Sequence, residues 1–124
     1  MTAPVFKLLN SSDEVKSFLK SGDILRVYEF GLAPDKPQTP YLVWQQLPSN
    51  PLNHLDGPAV TDHISIQFDI YTHDVRDIDF IKNAVRRALE KDNSCTITGL
   101  RSNSLEHDTK LYRTGFDSNW FIDR

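Results

Sequence analysis

Residues 61–89, TDHISIQFDIYTHDVRDIDFIKNAVRRAL, change their hydrophobic period once, and that change constrains every fold open to the chain. From Asp62 onward, Ile64, Ile66, Phe68 and Ile70 fall on one side and His63, Ser65, Gln67 and Asp69 on the other. This is the period of a half-buried strand. After Thr72, the residues Val75, Ile78, Phe80, Ile81, Ala84, Val85, Ala88 and Leu89 recur at steps of three and four, a broad apolar stripe on a helix. Asp74 is the expected N-cap. Asp77 and Asp79 lie near the positive end of the helix dipole, and Arg86, Arg87 and Lys91 towards the negative end. A strand and a helix with one apolar side each bury those sides most economically against each other.

The rest of the chain supplies further elements for the same layers. Pro4 suits the first turn of a short helix that Asn10, Ser11 and Ser12 break. A second helix follows, with Ser11 and Glu14 as a capping box, Val15, Phe18 and Leu19 on one face, and Gly22 as its left-handed C-terminal cap. Residues 24–30, ILRVYEF, read as a strand ended by Gly31. Six of the seven prolines lie between Pro34 and Pro58, and two of them bracket the strand Tyr41 to Leu47, YLVWQQL. Residues 48–60, PSNPLNHLDGPAV, form a long connection that carries Leu52, His54 and Leu55 among turn formers, either a binding or assembly element or a surface Ω-loop that folds on itself. Residues 95–100 read as a weaker strand and 101–108 as a turn. In 111–122, Tyr112, Thr114, Phe116, Ser118, Trp120 and Ile122 alternate with Arg113, Gly115, Asp117, Asn119 and Phe121, a long closing strand with a bend or bulge expected at Gly115. The expected fold is α+β: one domain over residues 1–124, a mainly antiparallel sheet with the long helix on one face and short N-terminal helices.

At 124 residues the chain buries enough surface to hold a core without staples. Its mean hydropathy of −0.45 leaves no room for a membrane span. The N-terminal MTAPVFKLL has too short an apolar run for a secretory signal, so synthesis in the cytoplasm is expected. The single cysteine, Cys95, excludes an internal disulfide and reads as a small buried apolar residue. A net charge of −3 opposes a nucleic-acid-coating role, because that affinity comes from neutralising phosphates.

The chain carries no signature of catalysis. His54, His63, His73 and His107 lack metal-ligand spacing, and the aspartates around residue 74 have a sufficient explanation in helix capping. There is no GxSxG elbow, phosphate loop or dinucleotide fingerprint, and five glycines leave little material for one. No catalytic, cofactor or metal residue is therefore assigned. His63, Asp69 and His73 are the only crude set a small enzyme could draw on. The basic helix face of Lys82, Arg86, Arg87 and Lys91 reads as solvated, with Arg86 near Glu90 and Asp79 near Lys82. What stands out is aromatic excess: Trp44, Tyr71, Tyr112, Trp120 and Phe121 do not all fit one core if their strands alternate. Aromatic residues outside a core mark interfaces. The candidate interface residues are Trp44, Leu52, His54, Leu55, His63, Gln67, Asp69, Tyr71, Trp120 and Phe121.

The succession PYLVWQQL after a proline-rich lead-in, the loop with HLDG, the strand ISIQFDIYTHD, the helix DIDFIKNAVRRALE and the closing RTGFDSNWFIDR resembles the tail completion, or tail terminator, proteins of long-tailed bacteriophages, the head-to-tail joining family. The resemblance covers nearly the whole chain from Phe6. It implies a structural virion protein, made in the host bacterial cytoplasm, that forms a ring, commonly hexameric, at the head-proximal end of the tail. Such a ring caps the tail tube, ends its polymerisation and offers the surface to which the head connector docks. The implied partners are further copies of the chain, the tail tube protein and the head completion protein, with DNA only passing through the channel and no membrane involved. A monomeric α+β adaptor or regulatory module is the alternative, and a small enzyme a more distant one.

Overall fold

The computed structural model describes residues 3–47 and 61–123. Helices α1 (Val5–Asn10) and α2 (Asp13–Leu19) precede short strands β1 (Lys20–Ser21), β2 (Ile24–Leu25) and β3 (Val27–Glu29). Then come β4 (Tyr41–Leu47), β5 (Thr61–Thr72), helix α3 (Ile78–Glu90), β6 (Cys95–Leu105) and β7 (Tyr112–Asp123). β1 and β2 form a small hairpin, and the main sheet has the order β3-β4-β5-β7-β6. Every pairing in the main sheet is antiparallel except that of β3 with β4, which is parallel. The fold is α+β.

All three helices cover one face of this sheet. Ile64, Ile66, Phe68 and Ile70 of β5 and Phe116 and Trp120 of β7 meet Ile81, Ala84, Val85, Ala88 and Leu89 of α3, with Val5, Leu9, Val15 and Leu19 closing the core from α1 and α2. The period-two and period-3.6 stripes of residues 61–89 are thus buried against each other. At the crossing of β5 and β7, Phe68 stacks on Phe116 with ring centroids 5.1 Å apart, worth about 0.5–1.5 kcal/mol beyond burial.

Several local expectations are corrected. α3 begins at Ile78 rather than near Asp74, which instead turns the chain: its Oδ1 accepts from the Arg76 backbone N–H at 2.9 Å, and its carboxylate pairs with the Arg76 guanidinium. Val75 precedes the helix, Phe80 falls off the buried stripe of Ile78, Ile81, Ala84, Val85, Ala88 and Leu89, and both are exposed. The cap of α2 is Ser12, which accepts from Val15 N–H at 3.2 Å, while Glu14 reaches across to Arg87 at 2.8 Å. Gly22 is left-handed at φ +58, but it serves the tight turn between β1 and β2. Residues 24–30 break at Arg26. Residues 101–105 extend β6, whose register shifts lie between Ile97 and Gly99 and between Arg101 and Ser104, so the irregularity expected at Gly115 sits on the neighbouring strand.

Gly115 has a different task. A Cβ there would overlap the Arg101 guanidinium and the Phe68 carbonyl and come within 2.8 Å of Asp69 Oδ1. Glycine lets the Arg101 side chain cross β7 and donate to Phe68 O and Asp69 on β5. Gly115→Ala is expected to cost about 1–3 kcal/mol through overpacking, read as a lowered urea midpoint. An unchanged midpoint would show that Arg101 can leave this position without loss.

Candidate assembly surface

The face of the sheet away from the helices has no helix over it among the described residues. Strand alternation brings Tyr28 of β3, Tyr41 and Val43 of β4, and His63, Ser65, Gln67, Asp69 and Tyr71 of β5 to this face. β7 adds Arg113, Asp117, Asn119 and Phe121. The tyrosines form a shelf at one end. Tyr41 stacks on Tyr71 with centroids 4.9 Å apart and rings 19° from parallel, Tyr28 tilts against Tyr41 at 6.4 Å, and the Arg113 guanidinium lies over the Tyr71 ring at 5.9 Å. Burial raises the Tyr71 phenol above its ordinary value, with Arg113 pulling the other way. Burial also raises Tyr41, so both rings present neutral hydroxyls at physiological pH.

Asp69 is the hub of the middle of the face, with its side chain only 13% exposed. It accepts from Arg101 Nη2 at 2.9 Å, from Arg113 Nε and Nη2 at 3.3 Å, and from Gln67 Nε2 at 3.2 Å. Arg101 also pairs with Asp117, and Arg113 approaches Glu106 at 3.9 Å. Two arginines and three carboxylates from three strands and the β6–β7 turn thus hold one another in place, which fixes the side-chain positions on this face. At the far end His63 stacks on Phe121 at 4.9 Å, with its Nε2 buried and without a partner among the described residues, and Ser65 Oγ donates to Asn119 Oδ1 at 2.9 Å.

The structure therefore brings His63, Gln67, Asp69, Tyr71 and Phe121 onto one continuous face. Two of the candidate residues lie on the other side of the sheet. Trp120 is 0% exposed in the core, where its Nε1 donates to Ser118 Oγ at 2.9 Å. Trp44 lies on the helix side, packed against the core. Both share the parity of Phe68 in the sheet register, and that parity is the buried one. Leu52, His54 and Leu55 lie outside the described residues. Arg113 and Asp117 belong to the open face by the same alternation that placed Phe121 there. Arg101 was hidden because its segment reads as a turn.

His63, Asp69 and His73 do not converge. His63 and His73 are separated by the length of β5, roughly 30 Å at strand rise, and Asp69 is occupied by two arginines. Among the described residues no group of His, Cys, Asp and Glu could hold a metal ion. Cys95 is half-buried and its thiol is pushed up to about 12, chiefly by burial, so the nucleophilic thiolate is scarce at neutral pH. An open groove of about 540 Å³ lies at the end of the tyrosine shelf, lined by Lys36, Thr39, Tyr41, His73, Asp108 and Thr109.

Among the described residues the chain is a two-layer α+β structure with the helices on one sheet face and a charge network bracing the other. The model of the family described as Tail completion protein gp17 matches residues 3–123. The chain belongs to that family, and its role is a structural one in the bacteriophage tail. No curated protein matches the chain. Among the described residues no helix is long and apolar enough to cross a membrane.

Proposed function

We propose that the protein forms a ring, commonly hexameric in proteins of this kind, at the head-proximal end of the tail. The ring caps the tail tube, stops its polymerisation and presents the surface to which the head connector docks. The observation that carries this reading is the open sheet face: Tyr28, Tyr41, Tyr71, His63 and Phe121 set around an ordered charge network, in a chain of the tail completion family. Tyrosine and arginine are enriched in protein interfaces: tyrosine buries a large area at little conformational cost, and arginine offers a planar fork of donors. Asp69, Gln67 and their neighbours contact an adjoining subunit. The net charge of −3 supports a lumen that lets DNA pass without retaining its phosphates. The protein is not an enzyme in this reading.

Tail tubes assembled without this protein are the test. Adding the purified chain should stop tube growth, place a ring at one end in negative stain, and restore joining to filled heads. A chain that remains monomeric and leaves tubes uncapped would instead be an adaptor, and the ring reading would fail.

A further inference from the structure

We infer that residues 102–110 form a strap that swings away from β7 as one unit while the rest of the domain stays folded, and that Arg101, reaching across Gly115 to Asp69, is its latch. The inference concerns the single subunit and holds whether or not the chain forms rings.

From Thr98 to Lys110 the chain runs beside the sheet without entering its core. None of these residues is buried, and Leu100 and Leu105 are 59% and 44% exposed; burial resumes only at Leu111. Segments with few buried apolar contacts open at free energies well below that of global unfolding. Pairing is thin as well. Past the register shift that follows Arg101, β6 keeps only the pairs Ser104–Arg113 and Leu105–Tyr112 with β7. Ser102, Asn103 and Ser104 favour turns over strands, so local preference does not hold the segment extended either. β7 does not depend on it, because its other edge is paired with β5 along its whole length.

What holds the strap is polar. Arg101 fixes its start, donating to Asp69 at 2.9 Å and to the Phe68 carbonyl on β5 and pairing with Asp117 on β7. Glu106 lies 3.9 Å from Arg113, and Asn103 donates to Asp79 at 3.2 Å in an exposed contact. Exposed tethers of that kind contribute little, whereas the Asp69 side chain that receives Arg101 is only 13% exposed. Within the strap, Thr109 Oγ1 donates to the Glu106 carboxylate at 3.1 Å and the Lys110 N–H to the Glu106 carbonyl at 2.9 Å. The turn therefore carries its own bonds and keeps its shape as it moves. Opening breaks the bond from the Glu106 N–H to the Leu111 carbonyl, 2.9 Å, and the Ser104–Arg113 pair. Asp108 and Thr109 of the strap line the groove at the end of the tyrosine shelf together with Lys36, Thr39 and Tyr41. A closed strap narrows that groove; an open one widens it and bares the outer edge of β7 at Tyr112 and Arg113.

Hydrogen exchange followed residue by residue in rising, sub-denaturing urea tests this on the full chain. The probes are the amide of Glu106 and that of Arg113, which antiparallel alternation turns towards Ser104. In the parent they should exchange together, faster than the Val85 and Leu89 amides of α3 and with little response to urea, because opening exposes little surface. Arg101→Met should speed both probes by about 10- to 100-fold, the worth of hydrogen bonds to a charged group. Should methionine prevent folding, Arg101→Lys is expected to move them less, in the same direction. Ile66→Val, in the core, should speed the α3 amides and leave the probes at their parent rates, since the strap opens with the core intact. Probes that share the rate and urea slope of α3 in the parent would show that the segment unfolds only with the whole domain, and the inference would fall. So would an Ile66→Val chain in which both groups quicken alike. A folded Arg101 variant whose Glu106 and Arg113 amides keep their parent rates overturns Arg101 as the latch.

Discussion

Trp120→Ala should cost about 3–5 kcal/mol, the usual range for deleting a large buried aromatic side chain, and lower Tm by on the order of 10 °C or more. Phe121→Ala should cost less than about 1 kcal/mol. The two residues are consecutive in β7 and face opposite sides of the sheet. Trp120 sits opposite Ile64 on one neighbour strand and Cys95 on the other, wholly within the core. Its Nε1 donates to Ser118 Oγ, which in turn donates to the Ile66 carbonyl at 3.2 Å, so truncation also leaves a buried hydroxyl short of a partner. Phe121 is 51% exposed and keeps only its stacking on His63. Urea unfolding of the two variants measures both. Equal losses would mean that β7 is one residue out of the register described, because a single slip exchanges the two faces of a strand.

Arg26→Met should cost about 3 kcal/mol, comparable with breaking a buried polar network, and Arg26→Lys should recover only part of that loss. Arg26 is 5% exposed. Its Nε donates to the Pro40 carbonyl at 2.7 Å and its Nη2 to the Phe18 carbonyl at 2.9 Å, with Nη1 on Ser21 Oγ. Its backbone N–H donates to Leu19 O, and its carbonyl accepts from Leu42 N–H. One residue thereby ties the end of α2, the β1–β2 hairpin and the start of β4. Among the described residues no carboxylate pairs with the guanidinium. Carbonyl dipoles hold it, and Phe18 O lies at the negative end of the α2 dipole. Methionine keeps the aliphatic volume but leaves the Pro40 and Phe18 carbonyls unpaired in the interior. Lysine brings one nitrogen to acceptors set for a planar fork. A methionine variant with the parent's urea midpoint would show that those carbonyls find water and that Arg26 matters only for packing.

The elements readable in the sequence are those whose own periodicity fixes which side is apolar. β5, α3 and β7 were legible because Ile64, Ile66, Phe68 and Ile70, then Ile81, Val85 and Leu89, then Phe116 and Trp120, each keep one period along their element. The open face was legible in part for the same reason, since His63, Gln67, Asp69, Tyr71 and Phe121 are simply the other parity of those strands. Aromatic content does not separate Trp44 and Trp120 from the exposed aromatics; parity does. Their registers opposite Phe68 and Ile64 put both on the core side. The extension of β6 through Arg101–Leu105 was not legible, because SNS is turn-like chemistry that only pairing with β7 overrides.

By itself the sequence determined that one strand and one helix must share a core, which residues of each enter it, and which strand positions remain outside. Side-chain period is a local property of the chain, and burial follows it wherever the period is sustained. Tertiary structure alone decided that Arg101 crosses β7 over Gly115 to reach Asp69, that Arg26 is buried on carbonyls, and that all three helices gather on one side. Each of those depends on which distant strands lie next to each other, and hydrogen-bond partners far apart along the chain leave no periodic mark in it. Among the described residues they also leave no helix on the opposite sheet face, where the tyrosine shelf and the braced charges lie.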